Sequence, residues 1–149
     1  MFAPKSILVP SDFSEFSDRA LQKAIDLARE YKSRIYLLHV IDEGLQQCVA
    51  DYCLTDEVMK RMEVEDRAAT QKRLEQQVSR IPDAAGLEIS YDIRKGYPAE
   101  EILKDQKERN PDLIVIASHG RTGLLHNLMG STTDKVLKRA SCPVLLVRA

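Results

Sequence analysis

Four stretches of this chain are apolar on consecutive residues, a pattern characteristic of strands in a parallel sheet. They are Ile7-Leu8-Val9, Ile35 to Ile41 around a single His39, Leu113-Ile114-Val115-Ile116-Ala117, and Val144-Leu145-Leu146-Val147. Neighbouring side chains in a strand point to opposite faces, so Ile7 to Val9 and Leu113 to Ala117 read as strands with cover above and below. A parallel sheet with helices on both faces supplies that cover. The intervening segments have the matching helical pattern. Ala20, Leu21, Ala24, Ile25, Ala28 and Tyr31 recur at spacings of three and four, which marks one buried helical stripe.

The rest of the chain continues the alternation. Asp42 to Leu54 reads as a loop, with Thr55 as N-cap of a long charged helix to about Arg80 that turns Val58, Met62, Ala69, Leu74 and Val78 inward. Pro82 to Gly86 breaks it. Leu87, Ile89, Tyr91 and Ile93 alternate with polar residues, as expected of a strand at a sheet edge. Pro98 opens a short helix anchored by Ile102 and Leu103, and Asn110-Pro111 ends it. Ser131-Thr132-Thr133-Asp134 reads as a capping box before the last helix. Strand and helix in strict alternation predict a single α/β domain over residues 1–149. Its five-stranded parallel sheet is doubly wound and Rossmann-like, in the order 3-2-1-4-5, with right-handed crossovers.

Charge and cysteine content narrow the function. With 22 basic and 23 acidic residues the net charge is −1, and no electrostatic footprint for nucleic acid or an anionic membrane stands out. The apolar start is too short for a signal peptide, and no run is long enough to cross a bilayer. Three scattered cysteines suit a reducing compartment, so a cytoplasmic protein is expected. Cys48 and Cys53 have no nearby Cys or His to complete a zinc site, and Cys142 reads as a small packing residue.

In such sheets ligands bind beyond the C-terminal strand ends, where the strand order reverses. Two polar loops meet that description, Ser11-Asp12 after the first strand and Ser118 to Met129 after the fourth. The second ends at Gly130-Ser131-Thr132, where free backbone N–H groups and the helix dipole make an anion site. Gly120 and Gly130 allow close approach, although the same residues also serve a turn and a cap. Asp12, three residues before Glu15, has the spacing of a helix cap as well. His39 reads as a core histidine, His126 as loop surface, and His119 as pocket-lining without a partner to make it a base. No P-loop and no Gly-x-Gly-x-x-Gly fingerprint is present.

Ala117-Ser118-His119-Gly120, then nine residues, then Gly130-Ser131 resembles the ATP-binding signature of the universal stress protein family. Ile7 to Ser14 and Cys142 to Val147 resemble the family's two ends, and the likeness covers the whole chain. The signature's first glycine is Ala117 here. The resemblance implies ATP at the C-terminal strand edge, with Mg²⁺ carried by its phosphates. It sets Pro10, Ser11 and Asp12 beside adenine and ribose, and Val40 at the adenine edge. Ala117 and Gly120 then fall in the pocket wall, Gly130, Ser131 and Thr132 at the phosphates, and Arg121 as an additional cation. It further implies a homodimer through Val144–Val147. With no general base or committed nucleophile in sight, three readings stay open: a nucleotide sensor or switch, a nucleotide-free interaction protein, and a slow ATPase.

Overall fold

In the computed structural model, which describes residues 1–43, 56–120 and 129–148 (with the side chains of 56–66 outside that description), the expected alternation is realised. Strands β1 (Ser6–Pro10), β2 (Arg34–Asp42), β3 (Ile89–Gly96), β4 (Leu113–Ala117) and β5 (Val144–Val147) form one sheet in the order β3-β2-β1-β4-β5. All pairings are parallel. The helices are α1 (Glu15–Tyr31), α2 (Asp56–Ser79), α3 (Pro98–Arg109) and α4 (Ser131–Arg139), with a 3-10 turn at Pro82–Ala84. Among the described residues no helix is long and apolar enough to cross a membrane. Thr55, Cys48, Cys53 and His126 lie outside the described residues, as do the side chains of Val58 and Met62.

Strand alternation divides the core between two faces. Ile7, Val9, Ile35, Leu37, Leu113, Val115 and Ala117 pack with Leu21, Ile25 and Leu74 on the face covered by α1 and α2. Leu8, Leu38, Ile114 and Ile116 pack with Ile102 and Val136 on the face covered by α3 and α4. Each fully buried Leu or Ile contributes roughly 1.5–3 kcal/mol relative to exposure, so the two faces anchor the sheet. β3 lies at one edge, as its alternating pattern predicts. Two inward expectations are corrected. Tyr31, in the last turn of α1, is 40% exposed, and Ala69 is exposed and faces a cleft rather than the core.

Helix ends follow local chemistry. Ser14 caps α1, its Oγ accepting from Ser17 N at 3.2 Å. α3 starts with Pro98 in its first turn and stops at Asn110, whose left-handed φ of 48° suits a C-cap. The capping box expected at Ser131 is absent. Gly130, which has no side chain to offer, is the N-cap of α4.

A charged cluster fixes α3 against β3. Arg94 on β3 contacts Glu101, Asp105 and Glu108 at 3.0, 3.2 and 3.0 Å, and Arg109 contacts Asp92 and Asp105 at 2.8 and 3.3 Å. Lys104 completes the group on Glu101 at 2.7 Å. Four carboxylates thus share three cations, and the most buried one, Asp105, has an Oδ2 with no donor. Burial pushes the Asp105 carboxyl up to about 6, and the neighbouring Asp92 carboxylate adds to the rise against the opposing pull of Arg109.

A carboxyl whose folded pKa exceeds its unfolded value binds more protons when folded. Its contribution is therefore full below about pH 4 and is lost as pH rises toward 6. Asp105→Asn removes this term. Urea denaturation across pH 4.5–6.5 should show the Asn variant gaining about 1–2 kcal/mol on the parent as pH rises. Parallel pH profiles for the two proteins would contradict the assignment.

Candidate functional site

The sheet order reverses between β1 and β4. Their register pairs Ile7 with Leu113 and Leu8 with Ile114 and then stops, while β1 stays paired with β2 through Pro10. The two C-terminal ends therefore part, and a cleft of about 600 Å³ opens between the loops that leave them. Its walls carry Pro10, Ser11 and Asp12 from the β1 side, Leu38 to Asp42 from β2, Ala117, His119 and Gly120 from β4, and Gly130 to Thr133 from α4.

The β1–α1 loop is held from within. Ser11 is buried, its N–H donates to Leu38 O at 2.8 Å, and its Oγ donates to Gln77 Oε1 at 2.8 Å. Gln77, on α2 and 1% exposed, also donates to Asp18 Oδ1 at 2.6 Å. Asp12 does not cap α1. Its Oδ1 instead accepts from Ser14 N at 3.0 Å and Ser14 Oγ at 2.5 Å, fixing the residue that does. Between them Phe13 is forced to φ 64°, a left-handed conformation that costs about 1–2 kcal/mol for a residue with a Cβ. Its ring packs on His39 at 4.5 Å, under the Arg73 guanidinium at 3.9 Å.

On the other side the backbone supplies donors. Gly130 N donates to Ser118 O at 2.9 Å, closing the loop onto the end of β4, and Thr133 Oγ1 donates to Ala117 O at 2.8 Å. The first bond of α4 is Asp134 N to Gly130 O, so the N–H groups of Ser131, Thr132 and Thr133 precede the helical ladder. All three residues line the cleft. Gly130 has no side chain to cap them, and among the described residues none of the three N–H groups has a hydrogen-bond acceptor, so these donors and the positive end of the helix dipole stand at the cleft. Gly130 has a negative φ of −59°, and a Cβ there would meet only ordinary contacts, the nearest at 3.6 Å. Neither backbone conformation nor packing demands glycine at that position. What glycine provides is room beside the helix end.

The structure thus brings together Pro10, Ser11, Asp12, Val40, Ala117, Gly120, Gly130, Ser131 and Thr132, the residues singled out in the sequence. Arg121 lies outside the described residues. Ala117 belongs to the core cluster on the α1 side, which gives its methyl a packing role. His39 is not a core histidine: it is half-buried, lines the cleft, and shares a 2.7 Å hydrogen bond between Nδ1 and Ser11 O. His119 Nδ1 is engaged by Ser118 Oγ at 2.8 Å. Sequence reading missed the α2 contribution of Thr70, Arg73 and Gln77.

Gly120 and Asp12 are interlocked. A Cβ at Gly120 would fall 2.5 Å from Asp12 Oδ2, and that carboxylate is pinned through its other oxygen. Gly120→Ala is expected to destabilise the fold by about 1–2 kcal/mol in chemical denaturation. In an Asp12→Ala background the same substitution should cost almost nothing. Equal costs in both backgrounds would refute the interlock.

The model of the Universal stress protein family matches residues 4–148. Universal stress protein MJ0531 of Methanocaldococcus jannaschii is 33% identical over 148 residues, covering 97% of this chain and 82% of the relative. The solved structure of MJ0577 superposes with a TM-score of 0.81 at 33% identity, covering 99% of this chain and 98% of that one. A universal stress protein crystallised in complex with cAMP shares the fold at a TM-score of 0.71 and 20% identity, with 99% of this chain and 98% of that chain covered. Sheet order, the parted β1 and β4 ends and the match across nearly the whole sequence agree: the chain belongs to the universal stress protein family.

Proposed function

We propose that the cleft binds an adenine nucleotide, ATP in its working state, and that the protein acts as a cytoplasmic sensor or switch rather than a dedicated catalyst. The observation that carries this reading is the N-terminus of α4, which has a glycine as N-cap and sets Ser131, Thr132 and Thr133 in the cleft wall, their N–H groups without an acceptor among the described residues. Such an end favours an anion through both its free donors and its dipole. The donor set suits a triphosphate. Ser131 and Thr132 hydroxyls add to the amides, whereas the Thr133 hydroxyl is occupied by Ala117 O.

The remaining walls suit the rest of the molecule. Asp12 accepts from a ribose hydroxyl, the Val40 backbone and Pro10 meet the adenine, and Ala117 and Gly120 close the wall. Arg121, which follows Gly120 in the sequence, adds a cation toward the phosphates. Mg²⁺ enters bound to those phosphates, neutralising their charge. The fold relative crystallised with cAMP supports an adenine ligand. Two copies join antiparallel through β5, which pairs only with β4 among the described residues and leaves Leu145 40% exposed.

Calorimetric titration with ATP and Mg²⁺ should give saturable binding near one nucleotide per chain. Gly130→Val should weaken it at least about tenfold at unchanged melting temperature, because the branched side chain fills the space beside the helix end. Absence of saturable binding, or a Gly130→Val protein that binds as the parent does, would overturn the reading. Light scattering on the same sample should give about twice the chain mass of 16.9 kDa, and a monomer mass would remove the dimer.

A further inference from the structure

Arg73 stands in the cleft wall, and among the described residues no carboxylate pairs with it. Its placement is determined by the helix that carries it. Gln77, one turn further along α2, is locked to Ser11 on the β1–α1 loop and to Asp18 in the first turn of α1. Residues four apart lie on one helical face, so the same contact sets Arg73 over the loop. Its guanidinium lies 3.9 Å above the ring of Phe13, the residue after Asp12. Thr70, three residues earlier on that face, is buried and also lines the cleft. A guanidinium flat on an aromatic ring keeps its N–H groups at the edge, where they can fork onto a phosphate.

The cleft therefore has two positive poles on different elements, the α4 N-terminus at Gly130–Thr133 and Arg73 on α2. A simple 5′-nucleotide needs one of them. We infer that Arg73 forms a second anion subsite, and that the ligand class it selects is an adenine nucleotide carrying a further phosphate on the ribose 2′ or 3′ oxygen. This rests on the nucleotide reading above, with the 5′-phosphate at the α4 end and the ribose beside Asp12. One ribose oxygen then keeps its hydroxyl for Asp12, and the other bears the phosphate that meets Arg73. Phe13, held in its left-handed conformation between His39 and Arg73, serves as the platform that keeps the cation in place.

The test compares AMP with adenosine 3′,5′-bisphosphate and adenosine 2′,5′-bisphosphate in calorimetry, on the parent and on Arg73→Met. The Met variant retains an apolar stem for Phe13 without the charge, and thermal melting verifies its fold. In the parent, at least one bisphosphate should bind about tenfold more tightly than AMP. That ratio should fall to near one in Arg73→Met, while AMP affinity changes less than about threefold, and it should shrink with added salt. Equal affinity for AMP and both bisphosphates in the parent would overturn the subsite and leave the nucleotide site standing. A preference that survives in Arg73→Met would do the same. Failure of every nucleotide to bind the parent would overturn both.

Discussion

β1 and β4 lie side by side in the middle of the sheet and then part, and the cleft depends on that separation. Pairing at Ile7–Leu113 and Leu8–Ile114 places the two strands as neighbours, and their full burial makes the arrangement difficult to disturb. β1 then follows β2, while β4 follows β5 as far as Val147. The two loops consequently leave the sheet on opposite sides of a gap. Helices α1 and α2 cover one face and α3 and α4 the other, so the cleft receives contributions from both. This is the switch point of a doubly wound sheet, where concavity follows from topology before any side chain is chosen.

Local structure in the gap is less stable than it could be. A Ser or Asn in place of Gly130 would add a capping hydroxyl or amide oxygen worth about a few tenths of a kcal/mol, yet the N-cap of α4 is a glycine with no side chain. Phe13 takes a left-handed backbone that glycine or asparagine would adopt more easily. The surrounding contacts maintain both features. Ser11 Oγ, held by Gln77, accepts from Phe13 N, and the bonds from Gly130 N and Thr133 Oγ1 fasten α4 to the end of β4. Local cost at a concave site, supported by rigid neighbours, is what a preorganised binding surface requires.

The strands were legible because burial on two faces leaves a mark on consecutive residues, as in Leu113 to Ala117. The two glycines at the cleft were legible through their spacing and their position before a helix. Less could be read where a residue acts across long sequence distance. Gln77 meets Ser11 from 66 positions away, and nothing in a charged helix marks it as buried against a serine. Arg73 among neighbouring charges looks like any solvated cation until Phe13 is placed beneath it. The capping motifs misled for a related reason. Ser131 and Asp12 have cap-like spacing, but α4 begins where Gly130 N is tied back to Ser118 O, and α1 begins at Ser14, which Asp12 holds and which itself accepts from Ser17 N. His39 was concealed by its apolar neighbours, although its register position near the end of β2 brings it to the cleft.

Amide NMR during an ATP titration tests the central claim most directly, because it reports on the individual N–H groups assigned to the ligand. The largest, saturable shift changes are expected at Ser131, Thr132 and Thr133, with accompanying changes at Ser11, Asp12 and Gly120, and little movement in α3 away from the cleft. Saturable changes centred elsewhere, with the α4 amides unmoved, would contradict it.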